Sequence, residues 1–142
     1  MKILLGRSDI VDFPKLNLFG IDIKVDSGAY TSSIHCHHII VDNNVLKCQF
    51  LNPKHQKFHQ KPLTFSDFKQ KNVKSSNGII EKRYLIKTEI LIFNKIRLIE
   101  LTLTERGSMR FPVLLGRKFL SRKFIIDTSK KNLSLNNITT KF

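Results

Sequence analysis

Acidic residues are scarce in this chain of 142. Eleven Asp and Glu stand against twenty-five Lys and Arg, giving a formal net charge of +14 and a pI near 10.1. That much positive charge attracts polyanions. On charge alone, nucleic acid, an acidic polypeptide and plain solubility all stay open. Cysteine is scarcer still: Cys36 and Cys48 are too few for a disulfide framework, and a reduced pair fits a reducing compartment. Long apolar runs are missing as well. The composition is 41% hydrophobic, yet no stretch approaches the roughly 20 apolar residues of a membrane helix. Residues 1–5 are too short for a signal-peptide core, and Arg7, Asp9 and Asp12 break up the next stretch. No repeat, linker or low-complexity segment breaks the chain. The expectation is one cytoplasmic globular domain over residues 1–142, with no membrane contact and a real core.

What is present is a series of short alternating apolar runs punctuated by turn residues. Residues 16–25 alternate, with Phe19, Ile21, Ile23 and Val25 on one face and Asp22 and Lys24 on the other. Further strands are expected at 2–6, 31–34, 39–41, 45–51, 80–93, 96–104, 113–115 and 124–126. Residues 8–14 read as a loop because of Asp12 and Pro14. Asp42-Asn43-Asn44, Ser75-Ser76-Asn77-Gly78 and Asn94-Lys95 read as hairpin turns. Residues 54–61 read as an exposed basic loop. Residues 116–122 suit one short helix, and Leu133 and Leu135 suggest an edge strand. This pattern predicts a closed all-β domain with very little helix.

The run at 16–25 ends in Asp26-Ser27-Gly28-Ala29, followed by Thr31 and Ser32. This is a carboxylate on a tight loop at a strand's end. Gly28 lets backbone N–H groups approach it, and Ser27 offers a hydroxyl to lock the loop from behind. Asp-Ser-Gly is also an ordinary turn sequence. Far downstream lies a second apolar piece, Phe111-Pro112-Val113-Leu114-Leu115-Gly116-Arg117.

The order of these pieces resembles retropepsins, the single-lobe aspartic proteases. More closely, the chain resembles the retropepsin-like aspartic protease family associated with RimK-type glutamate ligases, often labelled an ATP-dependent zinc protease. The matching residues run over nearly the whole chain. They include Gly6-Arg7, Val11-Asp12-Phe13-Pro14, Leu18-Phe19-Gly20, Lys24-Val25-Asp26-Ser27-Gly28-Ala29, Thr31-Ser32, Ser75-Ser76-Asn77-Gly78, Glu81, Arg83-Tyr84 and residues 109–117. Two positions depart from the pattern. Ser27 replaces the usual threonine but keeps the hydroxyl. Tyr30 stands where viral retropepsins carry an acid that pairs with the arginine matching Arg117.

The resemblance implies an all-β, closed retropepsin-like (acid protease) barrel, a single lobe with one short helix near the C-terminus. It implies an aspartic peptidase with Asp26 as the catalytic residue. Ser27, Gly28 and Thr31 would support the loop, and Ser76, Asn77 and Gly78 would form a flap over the substrate. Arg83 and Arg110 become candidates to grip a substrate carboxylate. The substrate would be a peptide or acidic protein such as a glutamate-rich tail, with a functional link to a RimK-type ATP-grasp ligase and no cofactor. The chemistry needs two carboxylates sharing one proton. Asp127-Thr128-Ser129 lacks the glycine, and too little chain remains for a second lobe. The second carboxylate is therefore expected from Asp26 of a partner chain in a homodimer.

Two rival readings come from the residues themselves. His35-Cys36-His37-His38 contains zinc-ligating types and would make a zinc hydrolase, with His35 as the rival site. Strand neighbours point to opposite faces, however, and Cys48, His55 and His59 offer no recognisable spacing, so no metal is expected. A non-catalytic basic module docking on ribosome, RNA or an acidic protein would need no carboxylate at Asp26.

Overall fold

The computed structural model describes residues 1–74, 78–105 and 110–139. Among them the chain runs β1 (Ile3–Leu5), β2 (Ser8–Phe13), a 3-10 turn (Pro14–Leu16), β3 (Leu18–Val25), β4 (Ser32–Asp42), β5 (Val45–Phe50), β6 (Leu63–Phe65), β7 (Lys69–Lys74), β8 (Ile80–Ile92), β9 (Lys95–Thr104), β10 (Val113–Leu115), α1 (Arg117–Leu120), β11 (Phe124–Ile126) and α2 (Leu133–Thr139).

Strands pair in the order β10-β3-β2-β8-β9-β4, and β4 pairs back on β10, which closes a six-stranded barrel. The fold is thus the expected all-β, retropepsin-like barrel. Its closing strand carries the topology: β10 lies parallel to β3 on one side and antiparallel to β4 on the other. Two hairpins project from the barrel. β7 lies along β8, while β5 and β6 extend from β4. β1 and β11 form a separate parallel pair. Inward-facing Phe13, Ile21, Ile23, Ile34, Ile86, Ile90, Leu101, Val113 and Leu115 belong to one core. Each such side chain contributes about 1.5–3 kcal/mol on burial. No helix among the described residues is long and apolar enough to cross a membrane.

Several elements differ from the sequence expectation. Residues 8–13 are strand, not loop. Asp9 is 1% exposed yet sits on the inward face, since its carboxylate accepts the N–H groups of Ile10, Ser134 and Leu135. The last two are orphan donors at the start of α2. That contact explains why residues 133–139 form a second short helix rather than an edge strand. Phe19 faces outward, 49% exposed, because Gly20 adopts φ +66° and the β2–β3 register slips there. The extra residue is a bulge, and Asp12 Oδ1 fixes it by accepting the Gly20 N–H at 2.7 Å. β4 is one long strand interrupted by a bulge at His38 (φ +53°). β6 and β7 have no counterpart in the sequence expectation. Asn43 and Asn44 form the anticipated hairpin turn. In the β8–β9 hairpin the left-handed pair is Phe93 and Asn94, one residue earlier than the composition suggests.

Candidate active site

β3 reaches the site already held on both sides. Leu115 lies opposite Val25. The N–H of Val25 donates to the Arg7 carbonyl and that of Asp26 to the Leu115 carbonyl, each at 2.9 Å. Asp26 is the first residue beyond the strand. The loop then closes on itself, with the Ala29 N–H on the Asp26 carbonyl at 3.1 Å and the Gly28 N–H on Asp26 Oδ1 at 3.2 Å. The carboxylate of Asp26 is half-buried at the loop's head.

The loop is locked from behind by the start of α1. Gly116 N–H donates to Ser32 Oγ at 3.0 Å, Arg117 N–H to the Ala29 carbonyl and Lys118 N–H to the Tyr30 carbonyl, both at 2.9 Å. This packing demands glycine: a Cβ on Gly116 would stand 2.5 Å from the Thr31 carbonyl oxygen and 2.7 Å from that of Tyr30. The Arg117 side chain completes the lock. Its Nη1 donates to the Ser27 carbonyl at 2.9 Å, and its guanidinium lies over the Tyr30 ring at 5.8 Å. An aromatic face and a carbonyl thus receive the cation where viral retropepsins use an acid.

The expected site residues fall at several places in the fold. Ser27 and Gly28 form the exposed tip. Thr31 contributes its carbonyl packed on Gly116, while the supporting hydroxyl belongs to Ser32, buried next to it. Ser76 and Asn77 lie outside the described residues. Gly78, at φ +84°, begins the return of the β7–β8 hairpin. Arg83 lies on β8 and pairs with Glu81 at 3.2 Å. Arg110 lies elsewhere, stacked on Phe111 in a pocket of about 180 Å³ with Arg7, Ser8, Lys24 and Lys131. The lining of that pocket does not include Arg83.

His35 is buried on β4, its N–H on the Pro112 carbonyl at 2.8 Å. It lies three residues, roughly 10 Å, along the strand from Ser32 and the Asp26 loop. His37 stacks edge-on against His38, and Cys36 and Cys48 are both buried in the core, where burial pushes the Cys36 thiol well up. No group of three or more His, Cys, Asp or Glu comes together among the described residues. These residues do not fit a metal ion. Asp127 is the first residue beyond β11, where its Oδ1 accepts both the N–H and the hydroxyl of Ser129, at 3.0 and 2.6 Å. It is a turn residue at the end of the β1–β11 pair. A second cavity, about 330 Å³, is lined by Leu85, Leu98, Ile99 and Phe119 with Lys87, Lys118 and Glu100, and does not include Asp26.

Ser32 and Arg117 are the loop-supporting residues that sequence reasoning underrated. The pairing of Thr31 with Ser32 gave no means of choosing between the two hydroxyls, and the partner of Arg117 depends on a carbonyl that composition cannot show.

A closed six-stranded barrel with one Asp-Ser-Gly loop, backed by a strand threaded between its neighbours, defines a single-lobe acid-protease domain. The chain belongs to the RimB-like family, described as "Retropepsin-like aspartic endopeptidase RimB", which it matches over residues 4–137. It is 35% identical over 139 residues to a protein of Shewanella halifaxensis (strain HAW-EB4) and 34% identical to one of Shewanella pealeana (strain ATCC 700345 / ANG-SQ1), each named "Probable alpha-L-glutamate ligase". Both alignments take in 91% of this chain but only 29% of the relative, so the chain spans less than a third of those proteins' length. A solved structure from Legionella pneumophila subsp. pneumophila str. Philadelphia 1, described as of unknown function, superposes with a TM-score of 0.71 at 22% identity, covering 94% of this chain and 99% of that one. That likeness concerns the fold alone.

Proposed function

We propose that the protein is an aspartic peptidase acting as a homodimer, with Asp26 of each chain facing the other across a two-fold axis. The observation that carries this reading is a single Asp26 loop per chain, fixed at its base by Arg7 and Leu115 and from behind by Gly116 and Arg117. So much fixing would be superfluous for a surface turn, and it suits a carboxylate that must be held within a fraction of an ångström.

Two carboxylates this close cannot both ionise, so the pair holds one proton. The ionised member takes a proton from the bound water, whose oxygen attacks the scissile carbonyl carbon. The protonated member donates to the carbonyl oxygen. The tetrahedral intermediate collapses when the C–N bond breaks: the departing nitrogen receives the proton taken from water, and one hydroxyl of the intermediate returns its proton to the carboxylate that had donated to the carbonyl oxygen. The β7–β8 hairpin would cover the bound peptide. The glutamate-ligase names of the relatives and the net charge of +14 support an acidic, glutamate-rich tail as substrate and a functional link to a RimK-type ligase. The charge equally suits a binding module for an acidic protein, ribosome or RNA, which would not use the Asp26 carboxylate.

Asp26→Asn decides between them. The amide is nearly isosteric but can neither hold the shared proton nor accept one from water. Hydrolysis of an acidic peptide should fall by several orders of magnitude, as for one member of a unit acting together, with circular dichroism and sedimentation unchanged. Wild-type turnover in this variant, or a strictly monomeric species that still cleaves, would end the shared-carboxylate reading.

A further inference from the structure

The pocket that holds Arg110 is built unlike the rest of this basic surface. It is about 180 Å³ and is lined by Arg7, Ser8, Lys24, Arg110, Phe111 and Lys131. Four of those six residues are cations, and none is acidic. The larger cavity, by contrast, carries an acid among its cations: Glu100 takes both Lys118 and Lys87.

The backbone brings these cations together from four parts of the chain. Ser8 lies opposite Lys24 in the β2–β3 register. The Arg7 N–H donates to the Lys130 carbonyl at 2.8 Å, and Asn132 N–H to the Ser8 carbonyl at 2.9 Å, which draws Lys131 beside Arg7. Gly6 permits this contact, since a Cβ there would lie 2.3 Å from the Lys130 oxygen. Arg110 and Phe111 enter from the segment leading into β10, with the guanidinium 5.4 Å over the ring. The only hydrogen bond of the Arg7 side chain within the described residues is a long one, 3.4 Å to the Thr128 carbonyl, out of five donors.

The pocket also adjoins the candidate catalytic loop. The Arg7 carbonyl holds the N–H of Val25, the residue before Asp26. Lys24 is two residues from Asp26 on an extended strand, about 7 Å. A side chain flanking a bond held at Asp26 would thus meet the pocket.

We propose that Arg7, Lys24 and Lys131, on the wall made by Arg110 and Phe111, form a subsite for a carboxylate side chain of the peptide, and so determine specificity. This rests on the dimeric peptidase reading for its second half. A two-fold axis duplicates every pocket, placing one on each side of the scissile bond. The enzyme should then cut inside a run of acidic residues rather than beside a single one.

The test separates the pocket from the chemistry. Full-length Asp26→Asn protein, which cannot turn over, is titrated with fluorescein-labelled hexaglutamate and hexaglutamine by fluorescence anisotropy. Hexaglutamate should bind at least about tenfold more tightly, because charge-assisted contacts replace neutral ones. Adding Arg7→Met or Lys24→Met should each weaken hexaglutamate about three- to tenfold, and all three replacements with Lys131→Met about 100-fold, with hexaglutamine unchanged. Lys24→Arg should retain the affinity, which excludes a folding defect. Lys95→Met, an equal loss of charge on the β8–β9 hairpin, should change nothing.

Two results would overturn the proposal. One is hexaglutamate affinity unmoved by the triple variant. The other is an equal loss from Lys95→Met, which would show diffuse attraction only. Cleavage mapping with the native enzyme tests the symmetry: a peptide with glutamates on both sides of the bond should exceed one with them on a single side by about tenfold in kcat/KM, and equal rates would refute the duplicated subsite. If Asp26 proves inert, the peptidase reading fails while the binding result stands by itself.

Discussion

Replacing Gly116 with alanine adds one methyl group at the point where α1 backs the Asp26 loop. The new carbon would stand 2.5 Å from the Thr31 oxygen and 2.7 Å from the Tyr30 oxygen. Comfortable contacts begin near 3.5 Å, so one backbone must retreat by about 1 Å. Neither can do so without loss. The same few residues carry the bonds from Gly116 to Ser32, Arg117 to Ala29 and Lys118 to Tyr30. Three hydrogen bonds at about 1 kcal/mol each, or equivalently an overpacking cost in the usual range of about 1–3 kcal/mol, give an expected destabilisation of about 3 kcal/mol. For a domain of this size that is a fall of about 10 °C in Tm. Urea unfolding followed by circular dichroism measures it, and peptide hydrolysis should fall with it. Gly78→Ala is the internal comparison. Gly78 has φ +84° and no atom within 4 Å of its would-be Cβ, so only backbone strain of about 1 kcal/mol is expected. A Gly116→Ala protein within 1 kcal/mol of wild type, or a Gly78→Ala protein equally damaged, would refute the reasoning.

Arg117→Met removes the bond to the Ser27 carbonyl and the contact with Tyr30, and should lower stability by about 1 kcal/mol while raising KM and lowering kcat together. An unchanged rate would show that the loop does not need this clamp. Two aspartates should titrate in opposite senses. The Ser129 hydroxyl and N–H hold the Asp127 carboxyl below its ordinary range, so the stability it confers is present at neutral pH and is lost as pH falls through the folded-state value. Ser129→Ala should move the Asp127 titration, followed by NMR, back up; an unmoved midpoint would contradict the contact. Burial pushes Asp9 upward, although the N–H groups of Ser134, Ile10 and Leu135 pull the other way. Its contribution relative to Asp9→Asn should therefore be greatest below the unfolded carboxyl range and decline as pH rises through it, measured as the difference in urea midpoints; a difference that grows with pH would reverse the assignment.

Much of the barrel was legible because its strands are half-buried and alternate. β3, β8 and the Asn43-Asn44 hairpin follow directly from period two and turn chemistry. What escaped has a common cause, a polar residue satisfied by something distant. Asp9 and Asp12 look like breakers, and they sit in β2 because N–H groups up to 126 positions away donate to their carboxylates. The same contacts turn residues 133–139 into helix, against their local strand-like alternation. Gly20 shifted Phe19 to the surface through a bulge that needs the neighbouring strand to be recognised. At the site, the loop and the Leu-Leu-Gly-Arg piece could be read as motifs. The role of Ser32 as acceptor, the Arg117 contact with Ser27 and the gathering of Arg7, Lys24, Arg110 and Lys131 arise from packing between segments remote in sequence.

The threading of β10 between β3 and β4 has a bearing on how the chain is made. Gly116 and Ser32 are 84 positions apart, and nearly everything that steadies Asp26 from behind lies beyond residue 113. Contacts so distant in sequence form late and slow the search for the native barrel. Synthesis delivers the N-terminal strands first. Until β10 emerges, β3 and β4 present two unpaired edges separated by one strand's width, the kind of template on which other chains adhere. A growing chain therefore carries Asp26 on an unsteadied loop, while its open edges expose it to self-association. Stalling or cleavage anywhere before Val113 leaves that slot open for good.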